Sequence, residues 1–251
     1  MAEQPKIALS HSRLSDFNQC PRKFKLKYLD KAPNMNIDDA SKNVHLVRGQ
    51  NVHKALEKYV IRRNAGEQNI APSSLPEVEN TVPYLSKLYN AGMQLIPEQQ
   101  ISVDSDYKAV DWFSKQSYWR AIFDLISLGP STASIDDYKT GKFKEYDAGP
   151  SGYGQLHLSA LIGLSLMPQI EVLTAKYLYV DHKKTIEYKF TQNDLPKLRS
   201  HFDAEHMKVN NEANFDPKKN QYCSYCDATK AQCPYSTKMD VRPLVFQPKE
   251  Q

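Results

Sequence analysis

Apolar residues recur at helical spacing in the first third of the chain and at strand spacing in the middle. Leu14, Phe17, Cys20, Phe24 and Tyr28 fall three or four residues apart, which predicts a helix over Leu14–Leu29. Ser12 or Ser15 would cap it, and Pro21 would kink or restart it. Residues 31–42 are polar and carry Pro33, so they read as a loop. Val52, Leu56, Tyr59 and Val60 form the stripe of a second helix over Val44–Asn64, stopped by Gly66. Residues 65–80 read as another loop, and Tyr84–Leu95 as a helix between Pro83 and Pro97. Alternation then predicts strands over Gln100–Val110, Tyr118–Leu128 and Ser134–Lys139, with Gly129-Pro130 as a turn. Gly154–Leu166 reads as a helix ended by Pro168. Leu173–Val180 and Thr185–Phe190 read as a hairpin, and Leu195–Ala213 as a last helix. Residues 1–12 look unstructured, and a polar, cysteine-bearing segment follows from Asn214. This order predicts an α/β or α+β core in a single domain over 1–251.

Composition narrows the classes. The 251 residues are 40% hydrophobic, enough for a core. The longest apolar-rich stretch, Leu156–Ile170, contains Ser, His, Gly and Pro168, which excludes a membrane span. Met1–Ser12 lacks the apolar core of a secretory signal, so a cytoplasmic location is expected, the host cytoplasm if the chain is phage-encoded. A net charge of +4 permits a nucleic-acid partner without demanding one.

The four cysteines change the picture more. Cys223, Cys226 and Cys233 form Cys-x2-Cys-x6-Cys, and Cys20 lies 203 residues before the first of them. Thiols clustered in this way in a reducing compartment usually hold a metal, and four thiolates suit zinc or an iron–sulfur cluster. The spacing does not separate the two.

A second constellation is acidic. Asp137 and Lys139 lie at i and i+2 of a strand and share a face. Asp124 interrupts the apolar run Ala121-Ile122-Phe123-Asp124-Leu125-Ile126. Buried carboxylates are costly unless paired or metal-bound, and two from neighbouring strands make a hard oxygen site for Mg or Mn. A Lys beside such a metal can orient a water and offset charge developing on a phosphate. Taken alone, Asp137–Lys139 reads as a surface ion pair, Asp124 as a satisfied buried carboxylate, His53 as a core histidine and Gln155 as a helix-start residue.

Together these segments resemble the RecB-type branch of the PD-(D/E)xK nuclease superfamily. Gly49-x2-Val52-His53-x2-Leu56-Glu57 resembles its first motif. Asp124 matches Gly-x-Ile-Asp, with Ala121 and Phe123 replacing Gly and Ile. Asp137-Tyr138-Lys139-Thr140-Gly141 matches the Asp-Tyr-Lys-Thr-Gly motif throughout. Gln155-Leu156 matches the later Gln-Leu-x2-Tyr motif, with Ser159 in place of Tyr. Ser10-x-Ser12-x-Leu14-x2-Phe17-x2-Cys20-Pro21-x-Lys23-Phe24 and the C-terminal cysteines resemble the iron–sulfur members: AddB-type, CRISPR-adaptation and replication helicase–nuclease proteins.

The resemblance implies a restriction-endonuclease-like central mixed sheet flanked by helices, with elements at 14–28 and 220–234 joined by a metal cluster that makes the whole length one unit. It implies that His53, Asp124 and Asp137 bind Mg or Mn with the Tyr138 carbonyl, that Lys139 positions the attacking water, and that Gln155 orients Lys139 or the phosphate. It implies a 4Fe–4S cluster on Cys20, Cys223, Cys226 and Cys233, with zinc as the alternative. Arg22, Lys23, Lys25, Lys27 and Tyr225 beside the cluster suit single-stranded nucleic acid. The expected activity is a metal-dependent DNA exonuclease on ends or single strands, in recombination, repair or phage DNA metabolism, with recombination or replication proteins as further partners. The competing readings are a non-catalytic nucleic-acid-binding module and a zinc-stapled nuclease.

Overall fold

The computed structural model describes residues 7–35, 44–144 and 152–239. The start of the lead, most of the loop at 36–43 and the tail beyond 239 lie outside them. The chain divides into two compact units, one of Met1–His11 with Asp39–Asn210, the other of Ser12–Asp38 with Asn211–Gln251.

The first unit is built on a six-stranded mixed sheet in the order β2-β1-β3-β4-β5-β6. The strands are β1 (Gln94–Val103), β2 (Ala109–Val110), β3 (Trp119–Leu128), β4 (Thr132–Lys139), β5 (Val172–Tyr179) and β6 (Lys184–Phe190). Only β4 and β5 run parallel. A parallel pair needs a crossover, and α5 (Gln155–Leu166) lies within it. Leu156, Leu158, Leu161, Ile162 and Leu164 are all buried, as a helix apolar on every side requires. Gly163 lets α5 lie close to the sheet: a Cβ there would stand 2.6 Å from Ile135 Cδ1 and 2.7 Å from Leu173 Cδ1.

The predicted helix over Val44–Asn64 forms with those bounds as α3. Val52, Leu56 and Val60 pack with Val78 and Leu85 and with Leu95, Leu125, Tyr138 and Leu178 of the sheet. The next helix, α4 (Pro76–Asn90), differs from expectation at both ends. Leu75 is extended before Pro76, which fits the first helical turn. Pro83 sits inside α4 and faces solvent. There the carbonyl deprived of its partner can be hydrated. The far end stops at Gly92, whose φ of +72° ends the turn, and the chain enters β1 at Gln94. Leu95 is therefore a buried strand residue. A last helix, α6 (Leu195–Asn211), closes this unit.

The second unit begins with α1 (His11–Gln19), a break at Cys20, α2 (Pro21–Phe24) and a π-helical turn over Lys25–Leu29. Pro21 restarts the helix at its first position, where its missing N–H is no loss. Phe17 and Phe24 meet edge to face at 5.5 Å, and Phe24 stacks on Phe215 at 6.3 Å. A small second cluster comprises Leu26, Ala32, Met35 and Ala228 with Cys226 and Cys233 against it.

The packing of α5 is directly testable. Gly163→Val should destabilise the protein by about 1–3 kcal/mol through overpacking against Ile135 and Leu173. The urea midpoint would report it, and an unchanged midpoint would refute the close approach.

Candidate active site

The site is made where two strands part. The β3–β4 ladder ends at Leu125↔Asp136, whereas β4 stays paired to β5 as far as Lys139↔Tyr179. The backbone groups of Tyr138 that face β3 are taken up by side chains instead. Its N–H donates to Asp124 Oδ2 at 2.7 Å, and its carbonyl lies 2.9 Å from His53 Nε2. His53 Nδ1 lies 3.1 Å from Asp124 Oδ1. Both ring nitrogens thus face acceptors. Burial opposes a charged ring, yet the hydrogen bond to Asp124 and the charges of Asp124 and Asp137 raise its pKa.

Strand alternation separates two adjacent acids. Asp136 is fully buried, accepts from Tyr84 Oη at 2.6 Å, and is pushed up mainly by burial. Lys176 Nζ donates to the same hydroxyl at 3.1 Å. Asp137 turns the other way, and its Oδ2 lies 2.8 Å from Lys139 Nζ. Gln155, the first residue of α5, bridges the pair: its Oε1 accepts from Lys139 at 3.1 Å and its amide donates to Asp137. Lys139 Nζ also lies 4.5 Å over the Tyr177 ring. Burial, with the charge of Asp124 opposing Lys139, pushes Asp137 up to about 6.

The five predicted residues of the acidic site fall into two contact sets, His53 with Asp124 and Asp137 with Lys139 and Gln155, joined through the backbone of Tyr138. Sequence reasoning missed Glu98. It stands at φ +45° in β1, where the β1–β3 ladder skips the Glu98–Asp124 position. Its carboxyl is raised by burial and by the charges of Asp124 and Glu57. No sequence signal marks it, because its nearness to Asp124 depends on the left-handed backbone at Glu98.

The cations predicted to meet nucleic acid belong to the second unit and are largely engaged. Lys23 and Lys27 pair with Asp16 at 2.7 and 3.3 Å, and Lys25 with Asp30 at 2.9 Å. The Arg22 Nε is buried without a hydrogen-bond partner. Tyr225 is 81% exposed. Cys20, Cys223, Cys226 and Cys233 are free thiols lining one cavity of about 320 Å³, together with Lys23, Tyr222 and Tyr225. Backbone N–H groups of Lys218 and Asn220 point at the sulfurs of Cys20 and Cys223, at 3.4 and 3.3 Å.

A family model described as the PD-(D/E)XK nuclease superfamily matches residues 8–234. The chain belongs to that superfamily. It is thus a metal-dependent nuclease, a phosphodiester hydrolase whose substrate is nucleic acid. The helix-flanked mixed sheet is consistent with the superfamily's restriction-endonuclease-like fold. One similar solved structure, described as the crystal structure of SSO0001, is 15% identical with a TM-score of 0.44, covering 90% of this chain and 84% of that one. No curated protein matches. No helix among the described residues is long and apolar enough to cross a membrane.

Among the described residues, no three or more His, Cys, Asp or Glu side chains are gathered as a metal-ligand set. The chemistry of the donors where β3 and β4 part nevertheless suits a hard cation. Asp124 and Asp137 could supply oxygens and the Tyr138 carbonyl a third, while His53 contacts both Asp124 and that carbonyl. A cation bound there would favour the neutral form of His53 and the ionised form of Asp137, both of whose pKa values are raised. Uptake of Mg or Mn should therefore release protons. Its affinity should fall as pH drops below about 6, where Asp137 protonates. Calorimetric titration in buffers of different ionisation enthalpy would measure this, and a pH-independent affinity between 5 and 7 would refute it.

Proposed function

We propose that this nuclease is a Mg- or Mn-dependent deoxyribonuclease of the RecB-like branch, an exonuclease on DNA ends or single strands serving recombination, repair or phage DNA metabolism. The observation that supports it is the contact set Asp124–Tyr138–Asp137–Lys139–Gln155 at the parting of β3 and β4. In this reading Asp124, Asp137, His53 and the Tyr138 carbonyl hold the metal, which activates water and neutralises the scissile phosphate when bound. Lys139, held by Asp137 and Gln155, orients the attacking water and stabilises the charge developing on the phosphate oxygens. Gln155 fixes the Lys139 ammonium and so defines the direction of attack.

Lys139→Ala should lower the cleavage rate of end-labelled linear DNA by about 10²–10³-fold. Closed circular DNA should resist the wild-type enzyme. Undiminished cleavage by the variant would remove Lys139 from the mechanism. Degraded circles would make the enzyme an endonuclease, and binding without cleavage in Mg, Mn and Co would leave a nucleic-acid-binding module.

The same reading places a 4Fe–4S cluster on Cys20, Cys223, Cys226 and Cys233. Four free thiols round one cavity support it, as do the N–H groups directed at two sulfurs. Burial raises the Cys226 thiol, and the neighbouring Cys20 and Cys233 add to that against the Ala228 backbone and the charge of Lys23. A lone zinc draws four sulfurs to about 2.3 Å from one point. The cavity of about 320 Å³ leaves room for a group larger than a single ion. Anaerobically purified protein should be brown, with visible absorption that Cys226→Ala abolishes. A colourless protein with one zinc per chain would overturn the cluster.

A further inference from the structure

The turn that follows Lys139 is held from two sides by residues outside the site just described. Gly141 has a φ of +106°, and its N–H donates to Asp181 Oδ2 at 2.6 Å. Its carbonyl lies 2.8 Å from His182 Nε2. The Lys139 carbonyl accepts from the Val180 N–H at 3.1 Å. Asp181 is in turn fixed by Arg48 of α3, whose two guanidinium nitrogens both donate to its carboxylate. Arg48 also donates to the buried Glu77 of α4. Beside Arg48, a Cβ on Gly49 would stand 3.1 Å from Thr140 Oγ1, so α3 approaches the turn closely.

Resting on the nuclease reading above, we infer that Asp181, oriented by Arg48, is a positioning residue that fixes the Lys139-Thr140-Gly141 turn and thereby the place of the Lys139 ammonium. The physical argument is one of levers. Lys139 is the last residue of β4, and its backbone direction is set on one side by the ladder with β5 and on the other by the turn. Its long side chain reaches Asp137 and Gln155 only from a fixed Cα. A small displacement of a positioned catalytic group costs rate far more than it costs stability. Asp181 provides a charged acceptor where the turn presents its N–H, and charge-assisted bonds of this kind are the stronger ones. Arg48 holds that acceptor with a planar two-point contact, which Lys could not reproduce. The network also joins α3, which carries His53, to the strand that carries Lys139.

The experiment compares Asp181→Ala, Asp181→Asn and Arg48→Ala. Steady-state cleavage of a single-stranded oligonucleotide is measured in Mg, together with melting temperature and exchange of the Gly141 amide. Asp181→Ala should lower kcat 10- to 100-fold with KM within about twofold of wild type. Asp181→Asn keeps an acceptor for the Gly141 N–H and should recover most of kcat. Arg48→Ala should cost less kcat than Asp181→Ala, because Arg48 touches the turn only through Asp181. The Gly141 amide should exchange at least tenfold faster in Asp181→Ala, with or without metal. The inference is overturned if the three variants lose activity in proportion to lost melting temperature, if Asp181→Asn is as impaired as Asp181→Ala, or if Gly141 exchange is unchanged. If the wild-type protein cleaves nothing, the nuclease reading fails, while Gly141 exchange still decides whether Asp181 holds the turn.

Discussion

Two carboxylates set against each other beneath a parting of strands are the constraint on which the rest of the first unit depends. Asp124 and Asp137 are brought close where β3 leaves β4, and repulsion between like charges grows as solvent is excluded. The surroundings answer that repulsion group by group. Lys139 and Gln155 attend Asp137, and His53 and the Tyr138 N–H attend Asp124. The answering groups come from three elements, β4, α3 and α5, so the helices must be placed accurately. The crossover through α5 places Gln155, and the Val52–Leu56–Val60 stripe seats α3 so that His53 reaches the gap. The hydrophobic packing thus serves the electrostatics.

Much of this was legible from spacing. The stripe of α3 is regular and its bounds follow from Val44 and Gly66. The strand before Gly129-Pro130 and the β5–β6 hairpin alternate or end on turn residues. Failure came where one residue type has two uses. Pro83 read as a boundary because proline breaks isolated helices, but a solvent-facing position tolerates it. Leu95 read as helical because Pro97 read as the helix's far boundary, although Gly92 had already ended the helix. In the site, Asp-x-Lys periodicity placed Asp137 and Lys139 on one face. Which of Asp136 and Asp137 belongs to the site follows from the same alternation. Nothing in the sequence exposes Glu98 near Asp124, because that proximity comes from a left-handed residue in an otherwise extended strand.

The basic stretch after Cys20 shows why a charge run is weak ground for a binding surface. Arg22, Lys23, Lys25 and Lys27 look like a cationic face in one dimension. Folded, Asp16 draws in two of the lysines and the Tyr28 hydroxyl, and Asp30 takes a third lysine. A phosphate must compete with those carboxylates. Tyr225 is exposed and Tyr222 half-exposed, so for the proposed single-stranded substrate stacking on these rings would be a stronger basis than the paired lysines.

Among the described residues, the apolar contacts of the second unit include an aromatic trio, Phe17, Phe24 and Phe215, and the small set around Leu26 and Met35. Small cores of this kind usually need a cross-link, and a disulfide is absent because all four thiols are free. Cys20 lies at the break between α1 and α2, while the other three follow some 200 residues later. A group bound by all four would close that long loop and convert its binding free energy into folding free energy. With the proposed group bound, the cysteines would serve the unit's stability, and their chemistry need not take part in cleavage.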